Sequence, residues 1–303
     1  MTKRITSLAG LMLLPALTFA ELHVVIVEGL PGDQVYAERF GSQVTAISTA
    51  LRSVTDAERV RVFRADDVSR DAVLGHLRAL QSELRSSDQF ALFLIGHGSY
   101  DDVEYKFNIR GPDLTGEDIA AGLDELPTTN QVLVNTSSAS GAIIDLVSND
   151  DRIVILATRS GAERHATRFG DYFATALGDP GADIDKNQRI SVEEAFGFAE
   201  RQVSDYFERN DQLATEHARL EGAHAGRMAL ARLGDAQPNV VDTALGELIA
   251  DRDALNARIE ALRLARDDMP LADYQSALLE QMLELARVED AIEARQEELD
   301  AND

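Results

Sequence analysis

The chain has 303 residues, no cysteine, 53 acidic against 29 basic side chains, and a net charge of −24. The missing cysteines exclude disulfides and thiol chemistry, so an ordinary apolar core must hold the fold. The charge argues against nucleic acid and anionic lipid as partners, and the length suits one core of roughly 200 residues plus a smaller part.

Residues 1–20 read as a secretory signal. Lys3 and Arg4 form a basic start, "LAGLMLLPALTFA" is apolar but too short to span a bilayer, and Thr18-Phe19-Ala20 offers small residues for cleavage. The mature chain is expected to begin near Glu21, and the short basic signal suits bacterial export to the periplasm. No later stretch approaches the ~18 apolar residues that a membrane span needs.

From Leu22 to about Ala231, apolar runs of strand length alternate with stretches of helical periodicity. The runs are "LHVVIVE" (22–28), "RVRVFRA" (59–65), "QFALFLIGHG" (89–98), "QVLVNTS" (131–137) and "RIVILATRS" (152–160); helices are expected near 34–53, 69–86, 115–124 and 140–147. Strands apolar on both faces and separated by helices predict an α/β domain over residues 21–236, with a mostly parallel sheet covered on both sides. Ligands in such sheets bind beyond the carboxyl ends of the strands. Two runs end there in chemically suggestive residues.

The third run leads into "GHGSYDD". Gly96 and Gly98 flank His97, let backbone approach a ligand and leave amides free to donate, so the imidazole can serve as a base. Asp101 and Asp102 follow closely and are candidates to orient it. Tyr100 to Leu114 alternates in polarity and contains Gly111-Pro112, which predicts a small hairpin that either walls a cleft or is a plain surface ribbon. The fourth run ends in "NTSSASG", with Ser138 where a strand turns into a helix and backbone N–H groups can stabilise an oxyanion. The plainer alternative is that "GHG" is a tight turn and "SSASG" a polar helix cap.

"FLIGHG" followed about forty residues later by a strand and "TSSASG" resembles the legumain family of peptidases, which have a caspase-like fold. The resemblance implies that His97 is the catalytic histidine, Gly98 the oxyanion-hole glycine, Ser138 the position of the nucleophilic cysteine, and Ser140-Gly141 the Ser-Gly pair beside the substrate. Thr136 replaces an acidic residue of the family pattern. After the fifth run, Arg159, Ser160 and Arg168 are expected near the specificity pocket and by charge favour an acidic side chain, whereas the family resemblance implies asparagine.

Serine at position 138 changes the chemistry. A thiol with a pKa near 8.5 is partly ionised at neutral pH, while a hydroxyl needs an efficient, oriented base. The favoured function is therefore a degenerate peptidase that binds peptide or acts as a scaffold. The alternative is an active endopeptidase with His97 as base and Ser138 as nucleophile.

Further along, "DIDKNQRISVEE" places Asp183, Asp185 and Asn187 at positions one, three and five of an EF-hand-like loop, Arg189 at seven and Glu194 at twelve, with Ile190 as the apolar anchor. Position six is Gln188 where the motif needs glycine, and Lys186 and Arg189 weaken the negative potential. A structural calcium ion is one expectation; a metal-free loop between helices is the other. His23, His76, His165, His217 and His224 show no metal-ligand spacing.

After Gln237-Pro238 the pattern becomes heptad-like. Val241, Leu245, Leu248, Leu255, Ile259 and Leu262, then Leu271, Tyr274, Leu278, Leu285, Val288, Ile292 and Leu299, predict two helices of about thirty residues over 237–303, with Arg252, Gln281 and Arg295 on the seams. This helical hairpin carries no catalytic group and is expected to be solvated or to contact a partner or a second copy.

Overall fold

The computed structural model describes residues 20–233, 243–264, 266 and 269–300. Two compact units divide between Leu233 and Gly234. The expected signal segment up to residue 19, the boundary at residue 236 and the first seam position, Val241, lie outside the described residues.

In chain order the first unit opens with β1 (Leu22–Glu28), α1 (Gln34–Leu51), β2 (Val60–Phe63), α2 (Arg70–Glu83) and β3 (Gln89–Ile95). There follow β4 (Gly98–Tyr100), β5 (Tyr105–Phe107), β6 (Leu114–Thr115), α3 (Gly116–Asp124), β7 (Asn130–Asn135), α4 (Ile144–Val147) and β8 (Arg152–Leu156). It ends with α5 (Phe169–Ala176), β9 (Arg189–Ser191), α6 (Val192–Arg209), β10 (Arg219–Glu221) and β11 (Ala229–Arg232).

The main sheet has the order β10-β8-β7-β3-β1-β2, parallel except for β10, which runs antiparallel to β8. Strand β3 shows why both faces need cover. Ala91, Phe93 and Ile95 join an apolar layer with residues of α1, α5 and α6, while Phe90, Leu92 and Leu94 join a second with residues of α2, α3 and β5. The fold is α/β with helices on both faces, as the apolar runs predict. The Tyr100–Leu114 segment forms the antiparallel ribbon β4-β5-β6, and β9 pairs with β11 in a separate two-stranded ribbon.

Helix starts follow local chemistry. Asp33 and Ser69 accept the Tyr36 and Ala72 N–H groups at the starts of α1 and α2. Thr115 with Asp118, and Ser191 with Glu194, form reciprocal capping boxes for α3 and α6.

The second unit comprises α7 (Thr243–Leu264) and α8 (Leu271–Asp300), of 22 and 30 residues, packed on each other. Leu245, Leu255, Ile259 and Ile292 are buried, whereas Leu271, expected on the seam, is 61% exposed. Gln281 does put its Oε1 into the interior, with no hydrogen-bond partner among the described residues.

Candidate functional site

Register pairs Glu28 with Ile95, Leu94 with Asn135 and Asn135 with Leu156, so β1, β3, β7 and β8 deliver the chain to one edge of the sheet. His97 emerges there one residue past Gly96. Its Nε2 lies 3.2 Å from the Pro31 carbonyl oxygen, and its ring meets those of Tyr36 and Phe40 edge-on, at 4.4 and 5.0 Å between centroids. A carbonyl only accepts, so Nε2 carries the proton and Nδ1 holds the lone pair of the neutral ring.

The two aspartates after His97 are engaged elsewhere. Asp101 accepts the Val103 and Glu104 N–H groups and pairs with Lys106; Asp102 pairs with Arg164 at 2.7 Å. Neither orients the imidazole. The Asp102–Arg164 pair, together with the Tyr100 ring against Gly161, fastens the β4–β6 ribbon to the segment after β8.

The next residue, Gly98, meets the Ser138 turn directly. A Cβ at Gly98 would collide with the Ser138 carbonyl oxygen and with Ser137 Oγ, so glycine at position 98 is what lets the two strand ends close together. Below the turn lies a buried polar chain. Asn135 Nδ2 donates to the Tyr105 hydroxyl at 2.9 Å, Tyr105 and Ser137 hydroxyls share a hydrogen bond of 2.7 Å, and Ser137 Oγ donates to the Ser138 carbonyl at 3.2 Å. Burial pushes the Tyr105 phenol up to about 12, so it stays neutral.

Ser138 itself is 4% exposed. Its neighbours are bonded: Ser137 N–H donates to Asn135 Oδ1 at 3.1 Å, and Ala139 N–H to the Glu163 carbonyl at 2.8 Å. Among the described residues neither the Ser138 N–H nor its hydroxyl has a hydrogen-bond partner, the hydroxyl is not sealed from solvent, and no bond joins it to His97.

Ser140 and Gly141 build the turn. Ser140 Oγ lies 3.2 Å from Thr158 Oγ1, which accepts the Gly141 N–H at 2.9 Å, and a Cβ on Gly141 would strike the backbone of Arg159 and Ser160. Ser140 is fully buried, so in this conformation it holds the turn rather than presenting itself to a ligand.

Arg159 follows β8 with its backbone against Gly141 and its side chain exposed. Arg168 is directed elsewhere: its guanidinium lies 3.7 Å over the Tyr206 ring and borders a cavity of about 450 Å³ shared with Phe207 and Leu213. Glu163, missed in the sequence, ties the region together. Its carboxylate accepts the Arg159 N–H at 2.8 Å and the His217 N–H at 3.1 Å, and lies 2.7 Å from His217 Nδ1. Nearby, Glu216 is buried and accepts the Arg168 and Phe169 N–H groups at the start of α5; desolvation raises its pKa against those bonds.

The acidic loop lies between α5 and α6. Carboxylate oxygens of Asp183, Asp185 and Glu194 lie within 4.8 Å of one another, compatible with one cation held at 2.3–2.6 Å. Asp183 accepts the Asn187 and Gln188 N–H groups, Asn187 Oδ1 accepts the Arg189 N–H, and Glu194 accepts those of Ile184 and Ser191. Gln188 takes φ +60°, the left-handed turn that the motif assigns to glycine.

No protein-family model and no curated protein matches the sequence. Among solved structures, the chain is similar to protein GSU0716 from Geobacter sulfurreducens, at 9% identity and a TM-score of 0.46, covering 67% of this chain and 94% of that one.

Proposed function

We propose that the first unit is an exported peptide-binding domain related to the legumain-like, caspase-like peptidases, in which Ser138 holds a ligand rather than attacking it. The carrying observation is the pair of unpartnered groups on Ser138, its N–H and its hydroxyl, at a residue only 4% exposed. Each donor gains a hydrogen bond when a peptide carbonyl oxygen enters the turn, worth about 0.5–1.5 kcal/mol net. His97 supports binding over hydrolysis, because among the described residues no carboxylate backs the ring. Arg159, exposed beside Gly141, favours a peptide with an acidic side chain. Nucleic acid is disfavoured by the charge of −24, and among the described residues no helix is long and apolar enough to cross a membrane.

The signal-like first twenty residues support a periplasmic location. Calcium belongs to this proposal as a structural ion, held by Asp183, Asp185, Asn187, Glu194 and the Arg189 carbonyl, where it would neutralise the carboxylates and brace α5 against α6. The α7–α8 hairpin is the part assigned to a partner or a second copy.

The second reading, a serine endopeptidase, is favoured by one observation: Pro31 fixes the Nε2 proton and leaves Nδ1 as a base. The test exposes the mature protein, Ser138→Ala and Ser138→Cys to a fluorophosphonate probe and to a mixed peptide library read by mass spectrometry. Expected are silence from the first two and cleavage from Ser138→Cys at least ~100-fold above them, because a thiol needs far less help from its base. Labelling and cleavage by the unaltered protein that vanish in Ser138→Ala overturn the binding proposal in favour of the peptidase.

A further inference from the structure

The first described residues carry an arrangement unrelated to the Ser138 turn. Ala20 is exposed, and the next backbone nitrogen, that of Glu21, donates to Asp88 Oδ1 at 3.2 Å. Asp88 is 1% exposed and is gripped by Arg85, whose backbone N–H donates to Oδ2 and whose Nη2 donates to Oδ1, each at 2.9 Å. The Glu21 carboxylate pairs with Arg59 at 2.8 Å and Arg85 at 3.4 Å, and the Glu21 carbonyl accepts the Gln89 N–H at 2.8 Å. The nitrogen at the expected cleavage point is thus held against a buried carboxylate at the start of β1.

We infer that Asp88 is the receptor for the α-ammonium group released when the chain is processed between Ala20 and Glu21. The inference rests on the export reading. Hydrolysis adds water across the Ala20–Glu21 peptide bond; Ala20 leaves as a carboxylate, and the Glu21 nitrogen becomes an ammonium. The amide hydrogen bond to the ionised Asp88 then becomes an ammonium–carboxylate ion pair, which adds a Coulomb attraction the amide lacks. Processing in this way seals β1 onto β3 and makes the mature fold more stable than its precursor.

The other charged groups at this corner are Arg85, Arg59, Glu21, His23 and Glu83. Burial works against the Asp88 charge, but the hydrogen bonds from Arg85 and from the Glu21 nitrogen outweigh it and hold the carboxyl at about 2. The carboxylate is therefore ionised wherever the ammonium exists. An amine whose pKa is raised by folding gives its full stabilisation below its unfolded value, about 7.7–8.0, and loses it as pH rises through the folded one.

The test compares full-length mature chains beginning with a free Glu21, with Nα-acetylated Glu21, and with Ala20 retained, by thermal melting from pH 6 to 10. The free-Glu21 chain is expected to melt about 2–4 °C above the other two at pH 7, with the gap closing toward pH 10. Asp88→Asn is expected to abolish the gap; because it also releases Arg85, the comparison of free and acetylated chains, which needs no substitution, decides alone. Identical melting at every pH overturns the receptor. Intact-mass measurement of the exported protein judges the processing step separately, and a start other than Glu21 overturns it there.

Discussion

Two turns of the first unit break the same backbone rule in different surroundings. Ala139, one residue past Ser138, has φ +56°, and Gln188, in the acidic loop, has φ +60°. Either conformation costs a residue with a Cβ roughly 1–2 kcal/mol. Ala139 is fully buried and is held from outside, by the Glu163 carbonyl on its N–H and by Thr158 bonded to the residues that follow. Gln188 is exposed and is held on both sides, its N–H by Asp183 of its own loop at 2.9 Å and its carbonyl by the Leu233 N–H at 2.7 Å. Strain beside Ser138 is therefore tertiary and answers to remote substitutions, while strain in the loop answers in part to whatever its carboxylates bind.

The largest expected effect breaks the Ser138 turn from its far side. Gly141→Ala drives a Cβ into the Arg159–Ser160 backbone, which cannot rotate away as a side chain would, and should cost about 3 kcal/mol. Thermal melting checks the loss, and peptide binding should fall with it. A smaller effect follows from Tyr105→Phe. Removing the hydroxyl leaves Asn135 Nδ2 and Ser137 Oγ each short of a partner and should cost about 1–3 kcal/mol, read from urea unfolding. An unchanged urea midpoint would mean that the buried polar chain does not support the turn.

The same contrast explains what the sequence discloses. The α/β class is legible because five runs are apolar on both faces, as Phe90 to Ile95 illustrate, and only a covered sheet satisfies that pattern. Strands β9, β10 and β11, of three or four residues, are too short to show a period. His97 and Ser138 stand out because each ends a strand beside glycines. Their supports do not: Pro31 lies 66 residues from His97, Tyr105 lies 32 from Ser137, and Glu163 lies 54 from His217, and none belongs to a local motif. Proximity to His97 in sequence suggested Asp101 and Asp102 as its orienting groups, but a turn and Arg164 claim them. Contacts made within a few residues, such as the capping boxes and the acidic loop, are readable; those made by the closing of the fold are not.

The smallest effect sharpens the comparison by placing glycine in both turns. Gln188→Gly removes the Cβ from an exposed left-handed position, relieving roughly 1–2 kcal/mol of strain while increasing the entropy of the unfolded chain by about 0.5–1 kcal/mol. A net gain of about 0.5 kcal/mol is expected, with a melting temperature 1–2 °C higher. Ala139→Gly relieves the same strain but also deletes a fully buried methyl, worth about 0.8 kcal/mol, so it should be neutral or slightly destabilising. Melting of the two variants side by side checks this. Equal gains would mean that the packing around Ala139 does not depend on its methyl group and that the two turns are strained in the same way after all.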